Sequence, residues 1–173
     1  MGQLKLARAA FFAWALCCSV AMAQDAIDVA QLGALLGADE AAVQQAYPEL
    51  RKTARPLPGP RGTRGLWSLS DSAVAGMKFE TVFYFKARRL ERIEQRRLVA
   101  PLECGRQFDQ LSSALEARLG AAVRSSESPG STSRSAAWGL ETYRVAAYQT
   151  QVAGTCTVML THEPLSSKDA AEL

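Results

Sequence analysis

The sequence has very little of the side-chain chemistry on which most enzymes depend. It contains one histidine, His162, which lies near the C-terminus and is followed by Glu163 and Pro164. A Ser-His-Asp or Cys-His triad would need this residue as its base, and no GxSxG, HExxH or HxE motif is present. A lone histidine near a chain end is typical of the surface. Paired carboxylates remain an alternative among 17 acidic residues, but we expect no enzyme.

Metal and nucleotide motifs are also missing. The chain has no CxxC pair and no histidine and cysteine cluster of the kind that binds zinc. Its one glycine-rich run, GPRGTRG at residues 59–65, is not directly preceded by a strand or followed by a helix, as a phosphate loop would be. We therefore expect no metal and no other cofactor.

The first 23 residues have the pattern of a secretory signal peptide. Two basic residues precede an uncharged run over 9–23, which ends in an Ala-Met-Ala cleavage signature before Gln24. One alternative is a retained membrane anchor, for which fifteen uncharged residues are short. Another is a lipoprotein, although Leu16 is an unsuitable residue before Cys17. We expect a mature, soluble chain that is periplasmic or secreted.

Removal of this leader changes the cysteine count and the charge. Of the four cysteines only Cys104 and Cys156 remain, and an isolated pair in an oxidising compartment predicts a disulfide. Such a bond would close a loop of about 50 residues and contribute roughly 4 kcal/mol on the chain-entropy model. A metal pair or a redox couple is the alternative. The mature chain has 18 basic and 17 acidic residues, so its net charge is only +1.

The first half of the mature chain is predicted to begin with two short helices, each capped by an aspartate. A loop over residues 51–65 follows, with three prolines, three glycines, five basic residues and no acid. This proline and glycine content argues against a regular element. A short strand is predicted around residues 66–69, and residues 78–97 then predict a hairpin with KARR as its turn. Leu90 and Ile93 are an odd number of positions apart, so a regular strand would place them on opposite faces of the sheet. The returning strand therefore needs a bulge or must be partly buried on both faces.

The second half has the same order of predicted elements. Residues 105–119 form the most convincing helix, with an apolar stripe and Gly120 just past its end. A serine-rich loop over 121–135 comes next. Three strands are then predicted, at 136–138, 143–151 and 155–161.

The spacing of landmarks indicates a tandem repeat. Trp67 and Trp138, both expected in the core, are 71 positions apart, and the helix ends at Leu50 and Leu119 are 69 apart. Coincidence in a generic α+β chain is the alternative. We predict an α+β fold of tandem αβββ repeats, with antiparallel sheets packed against helices. The predicted divisions are a signal peptide over 1–23, repeats over 24–100 and 101–163, and a disordered tail over 164–173.

Aromatic and basic residues alternate in the hairpin at 78–97, as they do in some RNA-binding sheets. An exported protein meets little RNA, and three glutamates reduce the charge of this segment from +7 to +4. We therefore expect no nucleic acid. The phenylalanines are predicted to lie in the core, and the arginines to face solvent or a partner.

Together with the leader and the element order, the pattern FxFxxxRLxRI within VFYFKARRLERIEQ resembles the BamE (SmpA/OmlA) module of envelope proteins. The chain is also similar to the tandem-repeat beta-lactamase inhibitor proteins, in which two helix-plus-sheet units form one concave sheet. The resemblance covers roughly residues 28–161. BamE-like proteins are normally lipidated, whereas this leader lacks a good lipobox. The resemblance implies a binding role in the bacterial cell envelope.

Binding is therefore the expected class of function. The candidate partner-binding residues are Arg51, Lys52, Arg55, Arg61 and Arg64 in the first loop, with Arg88 and Arg89 in the hairpin turn. These cations suit an envelope or secreted protein with an acidic patch, and peripheral membrane contact is possible. A solvated connector is the alternative for the loop. We predict a non-catalytic periplasmic protein-binding module; a secreted inhibitor of a hydrolase and a small-ligand or lipid carrier remain alternatives, and the oligomeric state is open.

Overall fold

Three α-helices and eight strands are found in residues 28–127 and 133–165, which are the residues that this computed structural model describes. The predicted signal peptide and almost all of the predicted tail lie outside these ranges. The helices are α1 (Val29–Ala34), α2 (Glu40–Ala46) and α3 (Cys104–Leu119). The strands are β1 (Arg51–Pro58), β2 (Arg64–Val74), β3 (Met77–Lys86), β4 (Arg89–Val99), β5 (Arg124–Glu127), β6 (Ser133–Gly139), β7 (Tyr143–Val152) and β8 (Thr155–Pro164).

All eight strands belong to one antiparallel sheet, in the order β1-β2-β3-β4-β8-β7-β6-β5. Each half of the chain contributes four consecutive strands, and the two sets meet where β4 pairs with β8. The prediction of tandem αβββ repeats is therefore wrong, because a single continuous sheet replaces the separate three-stranded units. The additional strands are β1 and β5, both of which fall in segments that were predicted to be loops.

Both of these strands lie at the edges of the sheet, which explains why their composition was misleading. Pro56 and Pro58 lie in β1, whose pairing with β2 is interrupted between Lys52 and Leu57. An edge strand tolerates proline because one of its two sides needs no partner in the ladder. At the opposite edge, the serine-rich strand β5 pairs only with β6.

The three helices cover one face of the sheet, and two apolar clusters fill the space between. The larger cluster joins Phe108 and Leu111 of α3 to Trp138 of β6. The smaller one joins Leu32 of α1 and Val43 of α2 to strands β2, β3 and β4. As predicted, the alternating residues of β3 are all buried on this face: Phe79, Thr81, Phe83 and Phe85.

The β3–β4 hairpin agrees with the prediction in detail. Lys86 pairs with Arg89, so that Ala87 and Arg88 form a two-residue turn. The register shifts just beyond it, which leaves Glu91 as the extra residue of a bulge. This bulge brings both Leu90 and Ile93 into the core.

The predicted helix caps and the predicted disulfide are also present, but α2 ends at Ala46 and not at the predicted Leu50. Asp28 and Asp39 accept hydrogen bonds from backbone amides of α1 and α2 at 3.0 and 2.9 Å. α3 is followed by Gly120, whose φ of 85° is favourable only for glycine. Cys104 and Cys156 form a disulfide with a Cα–Cα distance of 5.9 Å, which ties the start of α3 to β8.

Candidate binding surface

Trp67 and Trp138 differ in exposure, although both were predicted to lie in the core. Trp138 is buried, and its indole donates to the carbonyl of Gly120 at 3.0 Å. Trp67 is only partly buried: its indole donates to Glu40 Oε2 at 3.2 Å, and the Lys52 ammonium lies 5.9 Å from the ring centroid. Trp67 therefore joins the edge strand β1 to the first turn of α2.

A groove of about 690 Å³ opens beside this tryptophan, between α2 and the β3–β4 turn. Glu40 lines the groove and also bonds Trp67, so the two features are adjacent. Arg89 on the opposite wall donates to the carbonyl of Gly37 at 3.0 Å. We call the combined area the Trp67 surface; it consists of Glu40, Ala41, Lys52, Trp67, Arg88 and Arg89.

Arg88 is the most unusual residue of the Trp67 surface. Its φ is 66°, and Ala87 before it has a φ of 47°. Left-handed conformations cost an L-residue roughly 1–2 kcal/mol, and two-residue hairpin turns of this kind favour glycine in the second position. The turns Ala75–Gly76 and Ala153–Gly154 follow that rule, and this one does not. Strained backbone of this sort is concentrated at functional sites.

The charge at this turn is available for a partner. Arg88 is exposed and forms no ion pair within the described part of the chain. Asp39 and Glu40, the acids of the groove, already hold the α2 amide of Ala42 and the indole of Trp67. Among the described charged side chains of the groove, Arg88 is therefore the one without an internal hydrogen bond or ion pair.

The remaining predicted site residues are not collected in one place. Arg51 and Arg55 are exposed on β1, the strand that carries Lys52. Arg64 is exposed at the start of β2. Arg61 lies on the face without helices, where its guanidinium is 3.1 Å from Glu163.

Glu163 is the centre of an ionic cluster that sequence reasoning missed. Its side chain is only 9% exposed; its carboxylate accepts from Arg92 and from Arg144 at 3.2 Å and forms an ion pair with Arg61. Arg92 also contacts Glu94 at 3.2 Å. Arg92 and Glu163 are 71 positions apart and meet only because β4 pairs with β8. No local sequence pattern signals such a contact.

His162 contradicts the prediction of a surface histidine. It is fully buried, and this burial lowers its pKa from 6.5 to about 3, so the ring is neutral at physiological pH. Its Nε2 lies 3.3 Å from Gln95 Oε1, and the Gln95 amide reaches Thr81 and Ser72 at 3.3 and 3.4 Å. These four residues form a buried polar row that crosses the sheet between the two apolar clusters.

The described ranges contain neither a cluster of metal-binding side chains nor a helix that could span a membrane. No group of three or more His, Cys, Asp or Glu side chains there is arranged to hold a metal ion. None of the helices in those ranges has the length and apolar character needed to cross a bilayer.

The chain matches no family model, no curated protein and no solved structure. The resemblance to the BamE module and to the beta-lactamase inhibitor proteins therefore rests on the sequence features alone.

Proposed function

We propose that the chain is a non-catalytic, exported module that binds an acidic patch of another envelope or secreted protein through the Trp67 surface. The observation that carries this proposal is Arg88, an exposed cation in a strained turn that lines the groove and has no ion pair among the described residues. On the opposite wall, Glu40 bonds the partly buried Trp67. Tryptophan and arginine are the residues that most often dominate binding energy at protein interfaces.

The electrostatics of the surface favour an acidic partner. Lys52 adds a cation beside Trp67, and Arg51 and Arg55 are exposed on the same edge strand, which β2 separates from β3. Complementary charge raises association rates and excludes cationic competitors. The Cys104–Cys156 disulfide supports an oxidising compartment outside the cytosol.

The alternative functions differ in how much support they have. A hydrolase inhibitor is a special case of the same proposal, in which the partner is an enzyme. A small-ligand carrier is not favoured, because Phe79, Phe83 and Phe85 are buried in the core, where they contribute to packing. Contact with anionic lipid uses the same cations and is therefore one outcome of the test.

The test is site-specific photo-cross-linking in cells that export the full chain. The photoreactive residue replaces Ala41, which is exposed on α2 in the groove, or the control Ala117, which is exposed on α3. We expect a discrete cross-linked protein from position 41 and none from position 117. In the Ala41 background, Arg88→Glu should abolish this product, whereas Arg118→Glu, the same charge change on α3, should preserve it.

Three results would contradict the proposal. They are equal cross-linking from both positions, no protein product from position 41, and insensitivity of that product to Arg88→Glu. Cross-linking from position 41 to lipid only would favour membrane contact instead.

A further inference from the structure

A short connection between β1 and β2 folds over the face of the sheet that carries no helix. This connection, Gly59–Thr63, is called the strap here. Its backbone closes on itself, since Gly59 N donates to the carbonyl of Thr63 at 2.9 Å and Thr63 N donates to that of Pro60 at 3.1 Å. A Cβ on Gly59 would come within 2.6 Å of the Tyr84 ring, so glycine is required for this close approach.

The strap places Arg61 above Glu163. Arg61 has a φ of 55°, which makes it a second arginine in the left-handed region. Its side chain is 63% exposed, whereas those of Arg92 and Arg144, which hold the same carboxylate, are 12% and 32% exposed. An exposed ion pair contributes little, because solvent and salt screen it. Arg61 can therefore leave Glu163 at low cost while the other two arginines stay.

A pocket of about 210 Å³ lies beside the strap, at the same end of the sheet as the β3–β4 turn. Its walls combine apolar and cationic groups. The lining residues are Pro60, Arg61, Thr63, Lys86, Glu91, Arg92, Pro164 and Leu165.

The cations of the pocket differ in what they can offer to a ligand. Arg92 is engaged by Glu163 and Glu94, so it supplies positive potential but few free donors. Lys86 is exposed and has no ion pair within the described ranges, and Arg61 is exchangeable. Glu91 is the single acid among the described residues of the wall, and it repels a dianion more strongly than a monoanion.

We infer that this pocket receives one carboxylate of the bound partner, from an acidic side chain. The carboxylate would replace Glu163 as the ligand of Arg61 and would also contact Lys86, while Pro60, Pro164 and Leu165 contact its methylene groups. Lys86 and Arg89 flank the β3–β4 turn, so the pocket and the groove of the Trp67 surface lie on its two sides. The inference rests on the proposed function, because it names a second anchor for the same partner.

Nuclear magnetic resonance titration of the full mature chain tests the pocket without the partner. The probe is N-acetyl-glutamate α-amide, with N-acetyl-glutamine amide as its neutral match and inorganic phosphate as the competing anion. We expect saturable shifts at Thr63 and Lys86 with the glutamate probe, none with the glutamine probe, and weaker binding of phosphate.

Variants assign the site. Arg61→Gly, which suits the backbone at that position, and Lys86→Met should each weaken the glutamate probe by about tenfold, the effect of one lost charge-assisted hydrogen bond. Glu91→Gln should tighten binding severalfold, because it removes the opposing charge. Arg118→Ala, which removes an exposed cation of α3 outside this pocket, should leave binding unchanged.

The inference is overturned if the glutamate probe gives no saturable shift, if phosphate binds as tightly, or if Glu91→Gln has no effect. It is also overturned if cross-linking from Ala41 is unchanged in the Arg61→Gly/Lys86→Met double variant; the proposed function then still stands. Loss of cross-linking in both Arg88→Glu and this double variant supports the pair of anchors.

Discussion

Burial determines the chemistry of His162 more than its place in the sequence does. The imidazole has no charged neighbour among its hydrogen-bond partners, and Gln95 provides its single contact through Nε2. Its Nδ1 has no partner within the described residues. A buried ring in this setting resists protonation, because the cation would be desolvated without compensation.

This burial predicts a pH dependence of stability. The pKa in the folded chain, about 3, lies below the ordinary 6.5, so the unfolded chain takes up the proton first as the pH falls. The stabilisation from neutral His162 is complete above pH 6.5 and is lost progressively as the pH falls towards 3. At 1.36 kcal/mol per pKa unit, the loss of unfolding free energy approaches roughly 5 kcal/mol at pH 3.

Urea denaturation of the wild type and of His162→Gln between pH 3 and pH 7 measures this effect. Titrating carboxylates are common to both proteins, so the difference between the two curves isolates His162. We expect the wild type to lose more stability than the variant on acidification. Parallel curves would contradict the prediction, because protonation of His162 would then make no contribution to the pH dependence of stability.

At the scale of elements, the hairpin β3–β4 was predictable because its signals are local. Residues 78–97 contain the alternating apolar residues of β3, the KARR turn and the odd spacing of Leu90 and Ile93. The structure has a buried face, a turn and a bulge at these places. Helix caps are equally local. The edge strands β1 and β5 were not predictable, because their proline and serine content is acceptable only at the rim of a sheet, and the composition does not show where the rim is.

The turn of this hairpin gives a prediction at the same scale. Arg88→Gly should raise the free energy of unfolding by about 1 kcal/mol, because glycine adopts the left-handed conformation without the steric cost. Arg89→Gly should instead lower it, because it removes the hydrogen bond to Gly37 and places glycine in a strand.

Urea denaturation of both variants at neutral pH distinguishes these effects. A stabilised Arg88→Gly protein that also loses its cross-link from Ala41 would mean that the arginine is kept for binding at the expense of stability. Equal destabilisation by the two substitutions would contradict the prediction that the left-handed backbone at Arg88 is strained.

At the scale of the whole molecule, most of the features that could not be predicted from the sequence result from the pairing of β4 with β8. This pairing merges the two sets of strands into one sheet and brings Arg92 to Glu163 and Gln95 to His162. Such contacts depend on register between distant segments. The candidate binding residues are exposed, whereas Arg92, an arginine of the hairpin that was predicted to face solvent or a partner, is only 12% exposed. The division of the candidates between the Trp67 surface, the strap, β1 and β2 was not foreseen.

The disulfide also acts on the whole molecule, and its removal has a predicted cost. Cys104 and Cys156 are buried and separated by 52 positions. The double substitution Cys104→Ala/Cys156→Ala should lower the free energy of unfolding by roughly 4 kcal/mol on the chain-entropy model. Urea denaturation measures the loss, and dithiothreitol should reproduce it in the wild type but have no effect on the variant. Unchanged stability in both cases would contradict the prediction.

The position of β4 at the centre of the sheet has a consequence for biosynthesis. β4 ends at Val99, and its neighbour β8 begins only at Thr155, so the nascent first half of the sheet has an open flank until the later segment emerges. Open flanks of this kind invite intermolecular association. Charged residues are spaced along β4, among them Arg92, Glu94 and Arg96. They are well suited to prevent aggregation through this open flank before β8 has been synthesised.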